Sequence, residues 1–155
     1  MLRTAIVGCG KIADEHARQI QRVSGSRLVA LYDAEPLMSR QMQERFEGTR
    51  AFDDLDTLLS VGKPDVVHIT TPPQSHYATA MRCMEAGCHV FVEKPFTIDA
   101  AEAVRLVEAA QRLNVKLSVD HNYQFTKPAT RMRALIDEGY LGGPPVHLTG
   151  PCSSP

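Results

Sequence analysis

An α/β fold built on a doubly wound parallel sheet is the architecture that this sequence predicts, from three observations. Short, nearly continuous apolar runs recur along the chain, amphipathic stretches of helical period separate them, and a glycine-rich turn follows the first run directly. The runs are Thr4–Val7, Leu28–Tyr32, Val66–Ile69, His89–Val92 and Lys116–Val119, with a weaker one at Arg50–Phe52. They are rich in β-branched residues and lack strict polar alternation, which suits strands covered on both faces.

Helical spacing fills the intervals. Gly10–Val23, Pro36–Phe46 and Asp54–Ser60 supply the first three crossovers, the last two of them short. Tyr77, Ala80, Met81 and Met84 stand at i, i+3, i+4 and i+7, and Gly87 follows where a left-handed residue would end that helix. Ala100, Ala103, Val104 and Val107 repeat the spacing, with Asp99 and Glu102 placed to cap its start. Repeated βα units with right-handed crossovers give an open sheet of the Rossmann type. After Val119 the rhythm changes. Pro128 opens a last helix with Ala129, Met132 and Ile136 on one face, Gly139 and Gly142-Gly143 close it, and Val146–Thr149 reads as the start of a further strand. The expected division is a nucleotide-binding domain over 1–121, a linking segment with a helix over 122–143, and the beginning of another domain over 144–155.

A length of 155 residues fits one compact domain of roughly 100–200 residues. With 17 basic and 18 acidic side chains the net charge is -1, which argues against nucleic acid or an anionic membrane as partner. The apolar runs are too short to span a bilayer, and the N-terminus has no signal-like apolar region, so a cytoplasmic protein is expected. Cys9, Cys83, Cys88 and Cys152 form no C-x-x-C pair and no metal-like spacing with histidines. They read as free thiols, mostly small core residues, and no metal site is expected.

Gly8-Cys9-Gly10-Lys11-Ile12-Ala13 follows the first strand and opens the first helix, the context that G-x-G-x-x-[GA] requires. Gly8 permits a tight turn, Gly10 lets a pyrophosphate approach the backbone, and Ala13 is small enough for close helix-on-strand packing. The helix N-terminus then offers its N–H groups, Lys11 and Ile12 included, to phosphates. Asp33 ends the second strand, where a carboxylate can accept from both hydroxyls of an adenosine ribose. A 2′-phosphate there would meet like charge, and Ala34-Glu35 supplies no arginine, so NAD is preferred over NADP; Arg40 is the one cation that could fold back. Thr70-Thr71-Pro72-Pro73 brings a rigid turn to the carboxyl edge of the sheet, with His76 either at that site or on a solvent-facing first helical turn. Glu93-Lys94-Pro95 ends the fifth strand and delivers a lysine to the same edge, placed to exchange a proton with a substrate oxygen, with local desolvation expected to favour its neutral form.

Together these residues resemble the Gfo/Idh/MocA family of oxidoreductases. The likeness runs through the glycine turn, Asp33, Thr71-Pro72-Pro73 with His76, the Glu-Ala-Gly-Cys-His-Val run at 85–90, Glu93-Lys94-Pro95, and Asn122 with Phe125 and Pro128. The resemblance implies an N-terminal NAD(P)-binding domain, Lys94 in the position of the active-site lysine, Glu93 near the nicotinamide ribose, and Thr70, Thr71, Pro72 and His76 along the cofactor channel. It further implies sugar or polyol substrates and, for complete family members, a C-terminal α/β domain and homo-oligomers. Gln124 stands where the family often has arginine. The expected function is the cofactor-binding part of a sugar-type or polyol-type dehydrogenase, inactive by itself as a truncated chain. A non-catalytic NAD(H) sensor or partner-binding module is the alternative, and a methyltransferase is less compatible with Glu93-Lys94-Pro95.

Overall fold

A computed structural model of the protein describes residues 1–140 and 142. The expected strand at 146–149, the glycine at 143, Cys152 and the division at 144 fall outside the described residues.

Among the described residues six strands form one all-parallel sheet: β1 (Leu2–Val7), β2 (Ser26–Tyr32), β3 (Arg50–Phe52), β4 (Val66–Ile69), β5 (His89–Val92) and β6 (Leu117–Val119), in the spatial order β3-β2-β1-β4-β5-β6. The helices that connect them are α1 (Lys11–Arg22), α2 (Pro36–Arg45), α3 (Leu55–Thr57, continued by a π turn at Leu58–Gly62), α4 (His76–Glu85) and α5 (Ala100–Arg112). This is the doubly wound order, and chain direction across the sheet reverses between β1 and β4. The six strands expected within the described residues are present, the weak one at 50–52 included.

Local chemistry explains the boundaries. The Asp99 carboxylate accepts from the Ala101 N–H at 2.8 Å and starts α5, and Asp54 does the same for α3 through Asp56 and Thr57. Gly87, at φ +83°, ends α4 in the left-handed conformation that its sequence position predicts. One sheet face buries Val7, Val67, Ile69, Val90 and Val92 against α3, α4 and α5; the other buries Ile6, Leu28 and Leu31 against Ala13, Ala17 and Ile20 of α1 and Met42 of α2. Alternation along β4 and β5 therefore sends Val67, Ile69, Val90 and Val92 one way and His68 and Phe91 the other, toward the α1 side.

The chain divides into two units, Met1–Asp120 and His121–Pro155. The described part of the second holds a short 3-10 turn (Asn122–Phe125) and α6 (Lys127–Asp137), with proline in its first turn as expected. His121 is exposed at the start of that turn.

Candidate functional site

The glycine turn joins β1 to α1 at the topological switch point. Gly8 has φ +95°, and a Cβ there would lie 2.7 Å from the Thr71 nitrogen and 2.8 Å from the Thr70 carbonyl carbon. Glycine is thus required twice, by backbone conformation and by the approach of the β4 end. Thr70 reinforces that approach by donating its hydroxyl to the Gly8 carbonyl. Gly10 is different: its φ is −75°, and a Cβ on it would meet nothing within 4 Å. That space is the mouth of a cleft of about 530 Å³ lined by Gly8, Gly10, Asp33, Ala34, Thr70, Thr71 and Pro72. Val7, Tyr32, Met38, Ser75 and Thr79 complete its walls. Among the described residues no side chain caps the N-terminus of α1, which leaves its first N–H groups available to an anion.

Asp33 lines the same cleft beside the glycine turn. One oxygen accepts from the Cys9 N–H at 2.6 Å and the other from the Glu35 N–H at 2.8 Å. A carboxylate offers about four acceptor positions, so one remains on each oxygen for a diol. Arg40, the cation expected to be able to fold back, instead pairs with Asp53 at 3.1 Å on the surface. An open cradle at Gly10, free helix-terminal N–H groups and a fixed carboxylate fit the two ends of an adenosine diphosphate.

The remaining expected residues take several positions. Ala13 is fully buried against the α1 side of the sheet, as close packing requires, while Lys11 and Ile12 are exposed on the first turn. His76 neither faces solvent nor lines the cleft. It is fully buried, with Nε2 2.8 Å from the Thr71 carbonyl and Nδ1 2.9 Å from the Pro95 carbonyl. From the first residue of α4, the ring ties the turn after β4 to the segment after β5. Its expected place along the channel surface is corrected to a place behind the wall.

Lys94 follows β5 with a cis bond to Pro95, and its side chain is exposed. The desolvation expected around it is not supplied by the described residues. Glu93, in contrast, is buried: Oε2 accepts from the Lys94 N–H at 3.0 Å, and Oε1 lies 3.0 Å from His16 Nε2. His16 Nε2 also lies 3.6 Å from Asp120 Oδ2, and its Nδ1 is 3.0 Å from His68 Nδ1. Burial, with the neighbouring His16, pushes the His68 imidazole down to about 3. His16, Glu93 and Asp120 bring three metal-type ligand atoms within 4.8 Å of one another. Two of the three pairs already meet at hydrogen-bond or ion-pair distance, so the group is self-satisfied as a polar network. Sequence reading missed His16, His68 and Asp120; a histidine inside the apolar stripe of α1 is the one signal that could have pointed to them.

Cys9, Cys83 and Cys88 are buried free thiols, as expected. Burial raises Cys9, with a contribution from the Asp33 charge, to about 12.

Comparison with known proteins agrees with this geometry. The sequence pattern of the oxidoreductase family with an NAD-binding Rossmann fold, Gfo/Idh/MocA, matches residues 2–121. D-glucoside 3-dehydrogenase of Escherichia coli (strain K12) is 32% identical over 142 residues, covering 91% of this chain and 40% of the relative. Among solved structures, UDP-N-acetylglucosamine 3-dehydrogenase GnnA from Acidithiobacillus ferrooxidans is 31% identical with a TM-score of 0.78, over 86% of this chain and 42% of that one. The WlbA dehydrogenase from Bordetella pertussis in complex with NADH and UDP-GlcNAcA is 27% identical with a TM-score of 0.86, over 91% and 41%. The chain spans about 40% of the length of such relatives. No described helix is long and apolar enough to cross a membrane. With glycine turn, doubly wound sheet and family pattern in agreement, the chain belongs to the Gfo/Idh/MocA oxidoreductases through their NAD-binding Rossmann domain.

Proposed function

We propose that this chain is the cofactor-binding part of a sugar or polyol dehydrogenase that prefers NAD to NADP, with Lys94 as its acid–base residue. The observation that carries the reading is the presence of a fixed Asp33 carboxylate and an uncapped α1 N-terminus in one cleft. Anionic phosphates suit the helix end, ribose hydroxyls suit the carboxylate, and a 2′-phosphate on that ribose would meet the like charge of Asp33. Gly8, Gly10 and the Thr71-Pro72 wall would hold the dinucleotide, which when bound supplies the nicotinamide that accepts or returns a hydride. Lys94, exposed at the carboxyl edge, would take the proton of a substrate hydroxyl as the carbinol is oxidised and return it in the reverse direction. Glu93 and His76 would keep the segment that bears Lys94 in place. Substrate contacts and positioning come from residues outside this set, so the chain by itself would bind cofactor weakly and turn over little.

Calorimetric titration of the 155-residue chain with NAD+ and NADP+ tests the cofactor reading. NAD+ is expected to bind at least about tenfold more tightly, a difference of roughly 1.4 kcal/mol. Equal affinity, or preference for NADP+, overturns it. In the protein that carries this chain together with its substrate-binding part, Lys94→Ala is expected to lower kcat for a sugar or polyol by about 10²–10⁴-fold.

A further inference from the structure

Glu93 presents a problem that its neighbours solve. A carboxylate this deeply buried needs donors on both oxygens. Oε2 has the backbone N–H of Lys94, and Oε1 has His16 Nε2, contributed by the second turn of α1. The imidazole is itself held on every side. His68 from β4 meets its Nδ1 at 3.0 Å with the two rings edge to face, Phe91 from β5 stands 5.9 Å from its centre, and Asp120 after β6 lies 3.6 Å from Nε2. Two ring nitrogens at that separation share one proton, so the Nδ1 contact fixes the ring plane and leaves Nε2 aimed at Glu93. An unbroken path of short polar contacts therefore runs from the helix whose N-terminus faces the cleft, through His16 and Glu93, to the peptide N–H of Lys94.

We propose that His16 is a positioning residue: by orienting Glu93 it fixes the Lys94 segment against α1, and makes the nicotinamide end of the site depend on the helix that receives the pyrophosphate. The inference rests on the reading that Glu93 and Lys94 stand at the nicotinamide. The ligand class that would register the coupling is a dinucleotide carrying nicotinamide, as opposed to its ADP-ribose portion, which reaches only the Gly10 and Asp33 end.

The test compares ADP-ribose and NADH binding to the full chain by calorimetry and by NADH fluorescence, for the native protein, His16→Leu and His16→Gln. The native chain is expected to bind NADH more tightly than ADP-ribose. His16→Leu is expected to keep ADP-ribose affinity within about twofold while losing about tenfold in NADH affinity, the size of one charge-assisted hydrogen bond. His16→Gln, whose amide can donate near the Nε2 position, is expected to recover most of the NADH affinity and fluorescence. If both ligands weaken together in His16→Leu, or if His16→Gln behaves like His16→Leu, His16 is only packing and the proposal is overturned. Should His16→Leu not fold, Glu93→Gln in the native background replaces it. That variant is expected to lose NADH affinity selectively, and a parallel loss of both ligands overturns the proposal. A native chain that binds ADP-ribose and NADH equally removes Glu93 from the nicotinamide and the proposal with it, while the dinucleotide reading stands. A chain that binds neither removes both.

Discussion

The Asp33 carboxylate accepts from the backbone N–H of Cys9 at 2.6 Å, so the side chain proposed to select the cofactor also braces the glycine turn. These two tasks use different lone pairs of one group and separate by mutation. Asp33→Ala leaves the partly buried Cys9 N–H without an acceptor and is expected to cost about 1–3 kcal/mol of folding stability, read as a lower urea midpoint. Asp33→Ser shortens the side chain and removes its charge, and is expected to raise NADP+ affinity relative to NAD+. An Asp33→Ala chain with an unchanged midpoint would show that the brace contributes nothing.

Gly8 and Gly10, two positions apart, are expected to respond in opposite ways. Alanine at 8 would adopt φ +95° and collide with the Thr70–Thr71 backbone, so Gly8→Ala should destabilise the fold by several kcal/mol. At about 2–4 °C per kcal/mol for a chain of this size, that is a large drop in Tm. Alanine at 10 has an ordinary φ and open space, so Gly10→Ala should keep the native Tm. Its methyl group enters the cleft where phosphate would approach, so dinucleotide affinity should fall. Thermal melting and NAD+ titration on both variants read the contrast. Equal Tm loss in the two would contradict the geometry.

The sheet and the glycine turn are legible in the sequence because each depends on neighbours in the chain. Gly8 and Gly10 announce their roles by spacing alone, and Asp33 by its place after a strand. His76 was misplaced because its partners, the carbonyls of Thr71 and Pro95, come from two loops that only the folded sheet brings together. His16 was missed for the same reason more severely. His68, Glu93 and Asp120 lie 52, 77 and 104 positions away, and no local pattern marks them as a group. Asp99 shows the opposite case: its capping bond to Ala101 spans two residues and was readable in advance. Thr70 stands between: it lines the cleft, with its hydroxyl committed to the Gly8 carbonyl.

Thiol chemistry provides an independent check on the glycine turn. Burial and the Asp33 charge push Cys9 up to about 12, and burial raises Cys83 to about 12 and Cys88 to about 11. The thiolate is the reactive form, so at pH 8 all three should alkylate far more slowly in the native protein than in urea. Peptide mass spectrometry after a timed iodoacetamide pulse resolves each cysteine separately. Rapid native labelling of Cys9 would mean that the turn opens readily and that its bond to Asp33 is not maintained.

His68 links the polar network to pH. Burial first, and the neighbouring His16 second, hold its imidazole at about 3, against 6.5 for an ordinary histidine. Above 6.5 the side chain is neutral in both folded and unfolded chains and has no effect on the pH dependence. Between 6.5 and about 3 the unfolded chain binds a proton that the folded chain refuses, so stability falls as pH falls, by up to about 1.4 kcal/mol per pH unit from this residue. His68→Asn keeps a hydrogen-bonding amide near the Nδ1 position but cannot titrate. Urea unfolding at pH 7.5, 6.0 and 5.0 should show the native chain losing stability across the series more steeply than His68→Asn, by close to one proton's worth in the middle of the window. Parallel slopes for the two proteins would mean that the folded chain accepts the proton at His68, and that the contact between the two Nδ1 atoms gives way without cost.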